Sequence, residues 1–167
     1  TEAESRGIVT PGTVYERCDG LWTDRPAQAL VLLTADCFPV ALARTSGSPR
    51  LAVLHVGWRG LLDGIAQEGV DAMQGNGVAA AVGPGIGPCC YEVGDEIADQ
   101  YRARFGSGAL KGRRLDLGLA TERALLEAGC ASVERNGRCT SCEADLFFSH
   151  RRDRGRTGRQ GVIAYIS

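Results

Sequence analysis

The sequence predicts an α+β protein with mixed sheets. Apolar runs of strand length recur at 29–34, 51–56 and 78–82. Apolar residues at helical spacing mark 61–73, 93–105 and 117–128. These stretches intermix without the strict alternation that a doubly wound parallel sheet needs.

Each element has a local reason. Ile8 and Val9 are a possible short strand before the turn pair Pro11-Gly12, and residues 1–20 are otherwise polar and turn-rich. Cys18-Asp19-Gly20 reads as a turn, and Leu21–Thr23 as a short extended piece ended by Pro26. Ala29–Thr34 is continuously apolar, which predicts a strand buried on both faces. Pro39 predicts a bulge or kink after Cys37, because proline cannot donate to a ladder. Thr45–Pro49 is a turn cluster, and Leu51–Val56 is the next strand. Gly57 and Gly60 flank Trp58-Arg59 and allow a tight strand-to-helix turn. One helix is predicted over Leu61–Met73; Gly64 and Gly69 weaken it unless close packing on the sheet offsets their cost. After the strand Val78–Val82, Gly83–Pro88 forbids regular structure. A helix then places Val93, Ile97, Tyr101 and Phe105 on one face. Asp116 is an N-cap for a helix over 117–128 that stops at Gly129. Val133 begins an extended segment, and Gly161–Ile166 is the last strand.

At 167 residues, with 44% hydrophobic content, the chain reads as one domain over 1–167. Nineteen basic and 20 acidic residues nearly cancel, so no overall field argues for nucleic acid or membrane as a partner. Lys111 is the only lysine, and the other cations are arginines. There are seven cysteines, an odd count, and Cys89-Cys90 is an awkward disulfide set. No secretory or membrane-length apolar run occurs, so a cytoplasmic protein with reduced thiols is expected.

The chemistry concentrates between Thr34 and Gly60. Asp36 and Cys37 follow one apolar run; His55 ends another, with Arg59 just beyond. Strands lying side by side would bring a thiol and an imidazole to one sheet edge. That pair binds a transition metal or forms a nucleophile with its base. A buried cysteine and a satisfied histidine are the plain alternative. Cys139 and Cys142 form a lone C-x-x-C; with Cys89-Cys90 distant in sequence, a zinc site there is not expected. The arginines at 151, 152, 154, 156 and 159 could meet phosphate, though a solvated face is the commoner outcome. The GPGIG at 83–87 is not a phosphate loop, and His150 lacks chelating neighbours at suitable spacing.

Three stretches together carry a family resemblance: T-A-D-C at 34–37, H-V-G-W-R-G at 55–60 and G-P-G-I-G-P-C-C-Y-E-V-G at 83–94. R-C-T at 138–140 and F-F-S-H-R-R-D at 147–153 extend it. The chain resembles the laccase-domain, or multicopper polyphenol oxidoreductase, family of peptidoglycan-editing-factor-like proteins. The resemblance implies a layered α/β/β/α fold similar to cytotoxic-necrotizing-factor-like deamidating toxins. It implies a zinc-dependent purine nucleoside phosphorylase that also cleaves methylthioadenosine and deaminates adenosine, with purine nucleosides and phosphate as partners. It places Cys37 and His55 as metal ligands and implies a second histidine in a Q-V-H-type motif upstream. No histidine precedes His55 here, so the chain either starts just past that ligand, which is the expectation, or has lost it. His150 stands where the family usually has tyrosine.

From position, Arg59 is the candidate phosphate clamp, and Asp36 the candidate partner of His55 or proton carrier. With Cys37 and His55 they make up the expected catalytic set. Copper is less expected than zinc, because the two histidines of this chain cannot build a multicopper cluster. The alternatives are a metal-free Cys–His hydrolase or deamidase and a binding module without turnover. The preferred nucleoside and the oligomeric state are left open.

Overall fold

The computed structural model describes residues 18–167 and the backbone of Ile8–Val9. The predicted turn at Pro11-Gly12 lies outside the described residues. In chain order the strands are β1 (Ile8–Val9), β2 (Gly20–Thr23), β3 (Leu30–Thr34), β4 (Phe38–Arg44), β5 (Leu51–Val56), β6 (Val78–Val82), β7 (Leu110–Lys111), β8 (Arg114–Leu115), β9 (Cys130–Arg135) and β10 (Gln160–Ala164). The helices are α1 (Trp58–Leu62), α2 (Ile65–Ala72), α3 (Asp95–Phe105) and α4 (Leu117–Glu127).

The strands form a six-stranded mixed sheet in the order β1-β2-β5-β4-β6-β9, with β10-β3 and β7-β8 as separate pairs. The predicted α+β class with mixed sheets is what the chain forms. Val40, Leu42, Ala52, Leu54 and Val56 cover one face of the large sheet. Against them pack Ile65 and Val70 of α2, Tyr101 and Phe105 of α3, and Leu117 and Leu125 of α4. The other face meets β3, where Val53 packs on Leu30 and Leu32. Helices, large sheet and small sheet are thus the α/β/β part of the expected layering.

Three local expectations are corrected. The run ending in β3 is not buried on both faces: Val31 and Leu33 are 52% and 60% exposed. Among the described residues it pairs only with β10, and one face meets the core while the other does not. Pro39 does not disturb pairing with β5, with which β4 runs in regular antiparallel register from Phe38↔Val56 onward. The N–H of His55, opposite Pro39, bonds to Asp19 O on the far side at 2.7 Å. The position facing Pro39 therefore needs no donor from it. Finally, the helix over 61–73 is split. Gly64 has φ +97° and separates α1 from α2, a conformation open to glycine at little cost.

Gly69, in α2, would put a Cβ 2.6 Å from Leu54 Cδ1, so the helix lies against the sheet as expected. Asp116 caps α4 by accepting from Leu119 N at 2.8 Å. The sheet has two distinct ends. β2 and β4 start, and β5, β6 and β9 finish, at the same end. At the far end Arg44 stitches two turns, donating to Ser48 O at 2.7 Å and Gln74 O at 2.8 Å.

Candidate active site

Sheet topology brings Cys37 and His55 together. Cys37 immediately precedes β4, and His55 is the penultimate residue of β5, the strand beside it. Cys37 reaches the edge through the strand that follows it, because the run before it leaves for the small sheet. Gly57 leaves room for the sulfur: a Cβ there would lie 3.2 Å from Cys37 Sγ. The need at this glycine is space, since its φ of −92° is open to other residues.

His55 is held from behind by Asp19, whose Oδ1 lies 3.0 Å from Nδ1. Asp19 is buried and belongs to the Cys18-Asp19-Gly20 segment that sequence reading leaves as a turn. The expected partner was Asp36, and the correction has a physical cause. Both Asp36 carboxylate oxygens are engaged elsewhere: Oδ1 accepts from Thr140 Oγ1 and Oδ2 from Arg151 N, each at 2.7 Å. Its carbonyl accepts from Ile86 N at 2.8 Å. Asp36 has φ +87°, a strained value for a residue with a side chain, and these bonds hold it there. It clasps the turn before Cys37 to three other segments.

Burial pulls the His55 pKa down. Hydrogen bonds to Asp19 and Cys37, with the charges on both, outweigh that and carry it from 6.5 up to about 10. In the metal-free protein the ring is therefore cationic beside the Cys37 sulfur. Asp19 occupies Nδ1, which leaves Nε2 for a ligand. A carboxylate behind a histidine is the usual way a metal-binding imidazole is oriented. Thiolate sulfur and neutral imidazole are also donors that zinc accepts. The two donors present fit the zinc expected from the resemblance as part of its ligand set.

Cys37, His55, Arg59 and Asp19 border a cavity of about 500 Å³, within the range of small-molecule sites. Arg59 places its guanidinium 4.8 Å from the Trp58 ring centroid. Tyr101, fully buried, donates to Trp58 O at 2.6 Å and fixes this turn on α3. Three further residues line it: Tyr91, which sequence reasoning missed, and Arg151 and Arg159, which it raised as possible phosphate contacts but expected more commonly on a solvated face. Arg151 lies 5.3 Å over the Tyr91 ring, and burial pushes the Tyr91 phenol pKa up, so it keeps its proton. Exposed His150 also borders the cavity. The arginine cluster thus divides by role. Arg152 turns inward to Thr140 O at 2.9 Å and Phe147 O at 3.0 Å. The signal for Tyr91 was its place in the GPCCYEVG motif.

The four cysteines Cys89, Cys90, Cys139 and Cys142 converge, contrary to expectation, and could hold a metal ion. Separation in sequence is no bar, because β6 and β9 are parallel neighbours that release both loops at one end.

The family model of multi-copper polyphenol oxidoreductase laccases matches residues 2–167. The purine nucleoside phosphorylase YlmD of Geobacillus stearothermophilus is 40% identical over 170 residues, covering 92% of this chain and 61% of the relative. A purine nucleoside phosphorylase of Deinococcus radiodurans is 43% identical over 155 residues, covering 87% of this chain and 60% of the relative. The crystal structure of the Bacillus licheniformis hypothetical protein YfiH superposes with a TM-score of 0.89 at 36% identity, covering 99% of this chain and 72% of that one. The chain spans about 60% of the length of the two phosphorylases. With the mixed sheet, the Cys37–His55 edge and the match along almost all its residues, the chain belongs to the multi-copper polyphenol oxidoreductase laccase family.

Proposed function

We propose that this chain carries most of the pocket of a zinc-dependent purine nucleoside phosphorylase, with adenosine deaminase and methylthioadenosine phosphorylase activity. One observation carries the reading: a single cavity is lined by the Cys37–His55 pair and by three arginines, Arg59, Arg151 and Arg159. The names of the relatives support it.

In phosphorolysis a phosphate oxygen bonds to the sugar's anomeric carbon as the bond to the purine nitrogen breaks. The electron pair leaves with the purine, which takes up a proton. Arg59 grips the phosphate, since a guanidinium offers paired donors to an oxyanion. Arg151 and Arg159 add positive charge at the same mouth. Tyr91, held protonated, offers a donor to the departing base. Cys37 and His55 Nε2 would hold the zinc, with Asp19 fixing the ring. When bound, that ion supplies Lewis acidity. Asp36 sets the turn that aims Cys37.

The test is metal content together with phosphorolysis of inosine and methylthioadenosine, on this chain and on a version extended upstream. Arg59→Ala should raise the phosphate KM at least tenfold with a smaller change in the nucleoside KM. An unchanged phosphate KM would remove Arg59 from this role.

Asp19–His55–Cys37 is also the order of orienting group, base and nucleophile in a cysteine hydrolase. Activity that survives chelation but is lost on thiol alkylation would favour that second reading.

A further inference from the structure

The loops after β6 and β9 run side by side beyond the ends of their strands. Gly85 bridges to Cys139, and Thr140 N donates to Gly85 O at 3.0 Å. The pairing sets one tight turn against another. In the first, Cys90 N and Tyr91 N both donate to Gly87 O at 3.0 Å. In the second, Cys142 N and Glu143 N donate to Cys139 O at 3.2 and 3.1 Å. Each turn offers two sulfurs to the same small volume.

All four sulfurs lie within 4.8 Å of one another. Cys142 Sγ is 3.3 Å from Cys89 Sγ and 3.4 Å from Cys90 Sγ. A tetrahedral zinc site with bonds of about 2.3 Å has sulfur–sulfur edges of about 3.8 Å, inside this range. A disulfide would join one pair, whereas Cys142 is almost equidistant from two partners. The cluster also has an outer support: Gly87 N–H points at Cys139 Sγ from 3.2 Å. Backbone donors of this kind take up the excess charge of a four-thiolate site. Gly87 leaves the space, since a Cβ there would lie 3.2–3.4 Å from Cys139 Cβ, Cys89 Sγ and Cys139 Sγ.

We propose that Cys89, Cys90, Cys139 and Cys142 form a second metal centre, a closed four-thiolate site for a zinc-class divalent ion. It is separate from the Cys37–His55 pocket and shares no ligand with it. Its role is structural. Four protein ligands leave no open position, and the ion staples the two loops that form the pocket wall. Tyr91 directly follows Cys90, and Thr140, between the other two cysteines, donates to Asp36 at 2.7 Å.

The test begins by emptying the pocket with Cys37→Ser and His55→Gln together, purifying the full chain under reducing conditions and measuring zinc. About one zinc per chain should remain. Cobalt replacing it should give tetrahedral d–d bands and sulfur-to-cobalt charge transfer. Adding Cys142→Ser should abolish zinc retention and lower Tm, whereas Cys142→His, which keeps a zinc donor, should restore zinc. If the serine variant does not fold, the cobalt spectrum of the pocket-emptied chain still decides. No retained zinc and no thiolate charge transfer in that chain would overturn the proposal. So would peptide mapping of freshly lysed cells that finds Cys142 in a disulfide.

Discussion

Asp19 sets what His55 can do, and it was the residue least visible in the sequence. It lies far from His55 along the chain, and C-D-G has the composition of a turn. Cys37 and His55 were legible because polar groups at the ends of apolar runs are costly to bury without a use. Replacing Asp19 by Asn should lower the His55 pKa toward 6.5, followed by NMR in the metal-free protein. It should also weaken metal binding about 10–100-fold. The His55 pKa is raised on folding, so the proton stabilises the fold fully below about 6.5. That stabilisation is lost as pH rises through about 10. With chelator present, the Tm gap between the native chain and His55→Gln should close over that window; a gap independent of pH would refute the charged ring. Asp36 separates clasp from proton carrier. Asp36→Asn can keep an acceptor for Arg151 N and should retain activity. Asp36→Ala strands the donors of Thr140 and Arg151 and should cost about 2–3 kcal/mol in denaturant melts.

At the scale of elements, apolar runs and caps made most of the strands and helices legible. The failures share a cause: each depended on what lay next to the element in space. The run Ala29–Thr34 reads as doubly buried, yet its neighbour β10 covers an edge and leaves a face open. Pro39 reads as a disruptor, yet its pairing with β5 asks nothing of its nitrogen, because His55 N–H turns away to Asp19 O. The break at Gly64 requires a positive φ that composition permits without demanding. Gly69 gives a direct test of packing against propensity. Alanine is the better helix former by about 1 kcal/mol. Its methyl would nevertheless meet Leu54 Cδ1 at 2.6 Å and Leu42 Cδ1 at 3.0 Å, both in fully buried side chains. Gly69→Ala should therefore destabilise by roughly 1–2 kcal/mol net. A rise in Tm would show that the helix can lift off the sheet.

At the scale of the whole molecule, the chemistry sits at one end of the sheet because strands of both senses deliver their loops there. That gathering was legible only as a pairing of two strands. The convergence of four cysteines from distant stretches needed the parallel β6–β9 neighbours. The outer face of β3 and β10 carries Val31 opposite Ile163, 52% and 67% exposed. Changing both to Thr should shift stability by under about 1 kcal/mol in denaturant melts. Among the described residues, the far end, where Arg44 ties two turns, carries none of the pocket's lining groups. A reporter peptide or a foreign domain spliced at Ser46-Gly47 would thus leave turnover untouched, making that turn a handle for engineering.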